Sequence, residues 1–263
     1  RSTMMLKFLH SLTLLPAVLT CVYNHIDSRH TMCVYSPQAC TGKLFLASGK
    51  MTCQEKNKIL DTHNKLRQKV ALGQVPGQPG AMNMRQLVWD DELAGIAQRW
   101  ADQCYPGHDR KRNTDRFTVG QNVAVTWTYE NEPLEKDLPD WPKQINRWFD
   151  EVNQFGFSTE NIDPFAFSRP LGHYTQMIWA ESYMIGCGFA YFKDPQRGYS
   201  KIYVCNYGPG GNVIGASMYK KRIVGKKYCD YGTLRPSPLY PGLCEMEGVY
   251  YYTNMCESGL LYK

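Results

Sequence analysis

The sequence lacks the motifs that identify the common classes of hydrolase and nucleotide-binding protein. Its 263 residues contain no His-Glu-x-x-His zinc-protease pattern, no Gly-x-Ser-x-Gly nucleophile elbow and no phosphate-binding glycine loop. No two cysteines have the Cys-x-x-Cys spacing of thiolate metal sites, and no asparagine stands in an N-glycosylation acceptor. After residue 20 no apolar run is long enough to span a bilayer, so we expect no transmembrane segment.

A strong charge of either sign is also missing. The formal charge is +6, and Arg1 and Lys7 contribute two of these charges, so the chain after residue 20 carries +4. Basic residues cluster at 220–222 and 226–227. Such a pattern is typical of a solvated surface segment, with contact to an anionic surface as the alternative. We expect no nucleic-acid partner.

The first 20 residues resemble a secretory signal. Lys7 precedes an apolar run over residues 8–19, and cleavage is expected near Thr20. The chain contains ten cysteines, an even number. Behind a signal segment, they predict five disulfides in a secreted, extracellular protein.

One disulfide is predicted by local symmetry. Strand-like runs precede and follow the turn sequence at 194–198, and Gln196 lies midway between Cys187 and Cys205. In a symmetric hairpin the two cysteines face each other at a distance that a disulfide spans. The sequence therefore predicts a Cys187–Cys205 bridge.

Periodicity predicts alternating helices and strands. A first helix starts with a capping box formed by Thr52 and Glu55 and ends at Gly73. Further helices are predicted at 91–103 and around 145–152, and strands at 119–127, at 173–179 and in the hairpin. Strands separated by helices, with an antiparallel final pair, predict a three-layer α/β/α sandwich.

Two sequence blocks identify a family resemblance. They are residues 172–179, Gly-His-Tyr-Thr-Gln-Met-Ile-Trp, and residues 205–212, Cys-Asn-Tyr-Gly-Pro-Gly-Gly-Asn. Together with upstream segments such as Trp-Ala-Asp-Gln-Cys at 100–104, they resemble the signatures of the CAP superfamily, in particular arthropod venom allergens of the antigen-five type. The resemblance covers about residues 30–220 and implies the same α/β/α fold.

The resemblance also implies domain limits and two more bridges. We expect a signal peptide at 1–20, a disulfide-tied segment at 21–53, a CAP domain at 54–220 and a C-terminal extension at 221–263. The implied bridges are Cys40–Cys104 and Cys21–Cys33. The four cysteines whose pairing stays open are Cys53, Cys229, Cys244 and Cys256. Three cysteines in the extension are too few for the channel-blocking module of cysteine-rich secretory proteins, so a stapled extension is favoured over a toxin module.

The resemblance implies a cleft that holds two histidines and two acidic residues. Three of these positions are retained here as His108, Glu151 and His173, while Gln121 replaces the second carboxylate. Glutamine cannot act as a general base. His108 and His173 are the candidate zinc ligands, although no cofactor is required. The alternative is a hydrogen-bonded network without chemistry, which we favour.

The function implied by the resemblance is binding rather than catalysis. We expect a monomeric venom- or saliva-type protein that binds a host protein or a small lipid. A metal-dependent or cryptic hydrolase is the alternative, and an ion-channel blocker a further one. Two regions resemble lipid sites of relatives: residues 121–127 with 129–138 for sterols, and an aromatic set for fatty acids. The aromatic set is Phe155, Phe157, Phe165 and Phe167, for which core packing is the simpler interpretation.

Overall fold

The computed structural model describes residues 21–48, 51–128, 139–251 and 256. The predicted signal segment and residues 129–138 of the expected sterol region lie outside these ranges. Within them, every helix is too short or too polar to cross a membrane.

A five-stranded sheet forms the centre of the molecule. Its strands are β1 (Leu44–Ser48), β2 (Val88–Trp89), β3 (Gly120–Thr128), β4 (Met184–Asp194) and β5 (Gly198–Gly208). The order is β1-β4-β5-β3, and β2 pairs with β4. The β2–β4 pair is parallel, whereas the other pairs are antiparallel.

The predicted hairpin is confirmed. β4 and β5 pair with Cys187 opposite Cys205 and Asp194 opposite Gly198. The two cysteines form a disulfide with a Cα–Cα distance of 4.1 Å. Both strands have 11 residues, so the hairpin is longer than the apolar runs indicate.

Helices cover both faces of the sheet. The six are α1 (Thr31–Val34), α2 (Cys53–Ala71), α3 (Asp91–Ala101), α4 (Trp141–Phe149), α5 (Glu151–Phe155) and α6 (Gly172–Met177). Phe189 and Tyr203 of the sheet pack into the cluster formed with α2, α4 and α6, while Ala190 and Ile202 pack against α3. The alternation of side chains along each strand separates these clusters, which gives the predicted α/β/α sandwich.

Glycines of β4 set how closely α3 approaches the sheet. A Cβ atom at Gly186 would lie 2.1 Å from the backbone nitrogen of Ala94, and one at Gly188 would lie 2.4 Å from the Cα atom of Gln98. Both distances are shorter than any real contact. Therefore α3 packs directly on the backbone of β4.

The capping box of α2 is confirmed. The Thr52 side chain accepts from the Glu55 amide, and the Glu55 carboxylate accepts from the Thr52 amide. Gly73 follows the helix with a φ of 69°, a conformation that favours glycine. The third predicted helix is instead two helices, α4 and α5, that meet at Asp150.

The predicted strand at 173–179 is wrong, because this segment contains α6. Residues 174–180 are all buried, so no exposed face gives the segment a helical hydrophobic pattern. The amides of His173 and Tyr174 donate to the carboxylate of Glu151, at 3.1 and 3.0 Å. A residue of another helix thus satisfies the first turn of α6, which local sequence cannot reveal.

One buried arginine connects α2 to the chain beyond α6. Arg67 is fully buried and has no carboxylate partner among its hydrogen bonds. Its guanidinium donates instead to five backbone carbonyls, at distances from 2.6 to 3.3 Å, which belong to Arg85, Met177, Trp179, Ala180 and Ser182. Burial lowers the pKa of Arg67 to about 9, so the side chain is charged at neutral pH.

Five disulfides tie the described residues together. Cys21–Cys33, Cys40–Cys104 and Cys187–Cys205 form as expected. The four cysteines that the sequence left open pair as Cys53–Cys256 and Cys229–Cys244.

The C-terminal extension packs onto the main core. It contains a small hairpin of β6 (Leu234–Pro236) and β7 (Cys244–Met246). Leu243 is fully buried in the cluster that includes α2, and the Cys244 amide donates to the Met84 carbonyl at 2.8 Å. The extension is therefore part of the folded unit.

Candidate functional site

The four candidate residues come from four different elements. His108 lies in the loop between α3 and β3, Gln121 in β3, Glu151 at the start of α5 and His173 in α6. β3 links them, because Gln121 contacts His108 and the carbonyl of Val123 faces His173. Two hydrogen-bonded groups result, and both contact β3.

The first group is built on Glu151. Its carboxylate accepts from two amides of α6 and lies 2.5 Å from Nδ1 of His173. Nε2 of His173 lies 3.2 Å from the carbonyl oxygen of Val123, and the imidazole stacks on Trp148 with ring centroids 5.8 Å apart. Both ring nitrogens of His173 are therefore engaged by oxygen atoms.

The second group is built on Gln121. Its Oε1 accepts from the Asp109 amide at 2.9 Å and lies 3.2 Å from Nδ1 of His108, while its Nε2 donates to Asn206 at 3.0 Å. An amide oxygen only accepts, so the neighbouring groups assign the hydrogen to Nδ1 of His108. Nε2 of His108 is then the nitrogen with a free lone pair.

The surroundings of His108 lower its pKa and so favour the neutral form of the ring. Burial lowers its pKa most, and the positive potentials of Arg112 and His173 act in the same direction, against the hydrogen bond that His108 donates to Gln121. His108 therefore stays unprotonated at lower pH than an exposed histidine. The effect of His173 on the pKa of His108 also indicates that the two rings are close enough to interact.

A complete metal site is not formed by the described residues. Across these ranges, no three side chains of His, Cys, Asp or Glu are arranged to hold an ion. His108 and His173 supply only two nitrogens, and those of His173 are already hydrogen-bonded. The donor set thus falls short of the four ligands of a structural zinc site.

Sequence reasoning missed a buried relay beside the candidate residues. Asn122 donates to the carbonyl of His173 at 3.1 Å and to the hydroxyl of Tyr207 at 3.3 Å. The Tyr207 hydroxyl lies 3.0 Å from Nε2 of His63, whose Nδ1 lies 2.8 Å from the carbonyl of Ile59. The relay connects α6 to α2 through β3 and β5.

Burial keeps the two titratable side chains of this relay neutral. It lowers the pKa of His63 to about 4 and raises that of Tyr207, so both are neutral at physiological pH. The position of Tyr207 inside the quoted block 205–212 was the signal that was available. His63 is buried in α2, and periodicity cannot supply a hydrogen-bond partner that lies 144 residues away.

The aromatic set that was proposed for fatty acids is only partly exposed. Phe155 and Phe167 are 57% and 45% exposed, whereas Phe157 and Phe165 are buried in the core. Phe165 contacts both Phe157 and Phe167, at centroid distances of 6.4 Å. Core packing therefore explains the two buried rings, and two remain available to a ligand.

Sequence comparison supports the resemblance. The family model described as the cysteine-rich secretory protein family, CAP, matches residues 60–207. Venom allergen 3 of Solenopsis invicta is 43% identical over 204 residues, which cover 73% of this chain and 83% of that protein. Venom allergen 5 of Rhynchium brunneum is 41% identical over 202 residues, 73% of this chain and 85% of that protein.

Solved structures agree with the fold. The structure of BmVAL-1 superimposes with a TM-score of 0.64 at 28% identity and covers 79% of this chain and 98% of that one. NaASP2, a structure with Zn²⁺, gives a TM-score of 0.57 at 29% identity, over 74% of this chain and 96% of that one.

Proposed function

Because the chain belongs to the CAP family and is venom allergen 5-like, we propose that it is a secreted protein that binds a host protein or a small lipid, without catalysis. The five disulfides fit an extracellular protein. Venom or saliva is the proposed site of action, and a monomer the proposed state.

The hydrogen bonds among the cleft residues are the observation that carries this proposal. A general base needs a carboxylate or imidazole whose lone pair is directed at a substrate or water. The Glu151 carboxylate instead contacts two α6 amides and His173, both nitrogens of His173 face oxygen atoms, and Gln121 has no basic group. Among the four candidate residues this leaves a free lone pair on Nε2 of His108, without a neighbouring carboxylate from the set to orient the ring. The polar side chains thus hold α6, β3 and the His108 loop together. This arrangement supports a scaffold role for the cleft and leaves ligand binding to other surfaces.

Exposed aromatic rings support the lipid part of the proposal. Phe167 is exposed and contacts the buried Phe165, and Phe155 is exposed at the end of α5. Burying both rings under an acyl chain would remove apolar surface from water at little conformational cost. The exposed rings therefore support a small lipid more directly than a host protein as the ligand.

Zinc binding at His108 and His173 is proposed as a weak side property. The free lone pair on Nε2 of His108 suits zinc, but His173 must give up a hydrogen bond to take part. Calorimetry at about pH 7.5 and about pH 5.5 tests this, with weaker uptake expected at the lower pH because protonation removes a ligand. Uptake that is unchanged in a His108→Ala and His173→Ala double variant would place the metal elsewhere.

Two assays on the disulfide-bonded recombinant protein test the main proposal. Mass spectrometry of bound lipid, with a Phe155→Ser and Phe167→Ser double variant, should show loss of lipid. The control is Tyr105→Ser, since Tyr105 is 55% exposed and lies elsewhere. A peptide and ester substrate library should give no turnover with or without zinc. Turnover that disappears in His173→Ala would reject the non-catalytic proposal in favour of the hydrolase.

A further inference from the structure

An exposed basic segment lies outside the cleft and the aromatic surface. Residues 220–227, Lys-Lys-Arg-Ile-Val-Gly-Lys-Lys, are all exposed, and we call them the basic turn. The segment contains five cations and two aliphatic residues. Sequence alone favoured a solvated tail for its lysines, but the structure shows a defined shape.

The aliphatic residues occupy the tip of the basic turn. The Lys226 amide donates to the Ile223 carbonyl at 3.2 Å, which closes a four-residue turn. Gly225 has a φ of 85°, as the third position of a type II turn requires. Val224 is 95% exposed and Ile223 50% exposed. The tip therefore exposes apolar surface to water, and burial at a contact site would remove that surface from water.

Both ends of the basic turn are fixed to the body of the protein. The Arg222 amide donates to the Gly80 carbonyl at 2.7 Å, and the Cys229 amide donates to the Met82 carbonyl at 2.8 Å. Cys229 is also held by its disulfide to Cys244. The tip is therefore presented on a fixed base, so docking costs less conformational entropy than ordering a free tail would.

The charges of the basic turn are largely uncompensated. Lys220 pairs with Asp163 at 3.1 Å. Within the described part of the chain the other four cations form no ion pair, and Arg222 stacks on the ring of Tyr228 at 4.6 Å. Aliphatic groups at the tip with cations on both sides complement an anionic surface that has an apolar layer beneath it.

We propose that the basic turn docks on anionic lipid membranes. Val224 and Ile223 enter the interfacial layer, and Lys221, Lys226 and Lys227 bind lipid headgroups. A soluble polyanion satisfies the cations equally well, but it offers nothing apolar to bury Val224. The aliphatic tip therefore favours a bilayer over a sulfated glycan.

Vesicle binding by the full-length, disulfide-bonded protein tests this docking. The protein should sediment with phosphatidylcholine vesicles that contain phosphatidylserine and should stay in solution with phosphatidylcholine alone. Lys226→Gln with Lys227→Gln should weaken binding about 30-fold, since each cation near such a surface contributes about fivefold. Val224→Asn should weaken it about tenfold without a change of charge. Added salt should weaken it further.

A second turn of the same kind supplies the matched control. Ile214 is 76% exposed at the tip of a turn closed by the Ala216 amide and the Val213 carbonyl, with Gly215 at a φ of 83°, but the sequence has no Lys or Arg from residue 202 to residue 219. Ile214→Asn should leave vesicle binding unchanged. An equal loss in both asparagine variants would overturn the proposal, because it would indicate non-specific hydrophobic adsorption.

Insertion can be measured directly. In a Val224→Trp variant, brominated acyl chains should quench additional tryptophan fluorescence, whereas an Ile214→Trp variant should show no added quenching. Retention on immobilised heparin without vesicle binding would overturn membrane docking in favour of a glycan partner. Binding to phosphatidylserine vesicles without quenching at position 224 would overturn the insertion of the tip.

Discussion

Replacing Arg67 tests how much its five carbonyl contacts stabilise the protein. In Arg67→Met the methionine fills part of the space but donates no hydrogen bond. The carbonyls of Arg85, Met177 and Ser182 then lose their donor in a buried setting, whereas those of Trp179 and Ala180 still accept from the amides of Ser182 and Arg85, at 3.2 and 3.1 Å. A substitution at position 67 leaves these backbone carbonyls in place. Either water must reach them or the surrounding structure must shift to give them another donor.

The expected magnitude follows from the number of carbonyls left without a donor. Each buried acceptor without a partner costs about 1 to 3 kcal/mol. If water reaches one of the three carbonyls left without a donor, the remaining two cost about 2 to 6 kcal/mol, a large part of the total stability of a typical domain. Arg67→Lys keeps the charge and three donors, so it should fall between the wild type and Arg67→Met.

Urea unfolding at neutral pH with the disulfides intact provides the measurement. The midpoint should fall while the slope stays the same, provided that the transition remains two-state. Arg85→Met is the control, because the Arg85 side chain is partly exposed and donates to the Glu181 carbonyl. If Arg67→Met unfolded within about 1 kcal/mol of the control, the carbonyl contacts would not stabilise the fold.

Three further predictions concern the core and its pH dependence. Replacing Cys187 and Cys205 by alanine should lower the free energy of unfolding by about 2 to 4 kcal/mol, and peptide mapping that joins either cysteine elsewhere would contradict the pairing. Leu243→Ala should cost about 2 to 5 kcal/mol in urea unfolding, and a change below about 1 kcal/mol would show that the extension is dispensable. The folded pKa of His63, about 4, lies below its ordinary 6.5, so the unfolded chain binds the proton more readily. Stability should therefore fall by about 3 kcal/mol as pH decreases from 6.5 to 4. A His63→Asn variant with the same pH dependence would contradict this.

Local patterns predicted the elements whose determinants are close in sequence. The capping box of α2 spans four residues, and the hairpin register follows from a turn midway between Cys187 and Cys205. Both features depend on hydrogen bonds or symmetry inside a short segment. They could therefore be predicted without knowing the rest of the fold.

The features that could not be predicted from the sequence depend on contacts between residues that are far apart along the chain. The α6 segment looked like a strand because its residues are apolar and aromatic, yet Glu151 holds its first turn from another helix. Cys53 pairs with Cys256 across 203 residues. The candidate cleft residues were identified by resemblance. The hydrogen bonds that they form could be recognised only from interatomic distances in the structure.

The Cys53–Cys256 bridge turns most of the chain into a closed covalent ring. Residues 53 and 256 enclose nearly the whole sandwich, including the basic turn. A protease that cuts a single peptide bond within this ring opens it without releasing a fragment, since both pieces stay joined through sulfur. A once-nicked molecule therefore keeps its mass under non-reducing conditions, and its surface loops can be cleaved while the body remains one particle.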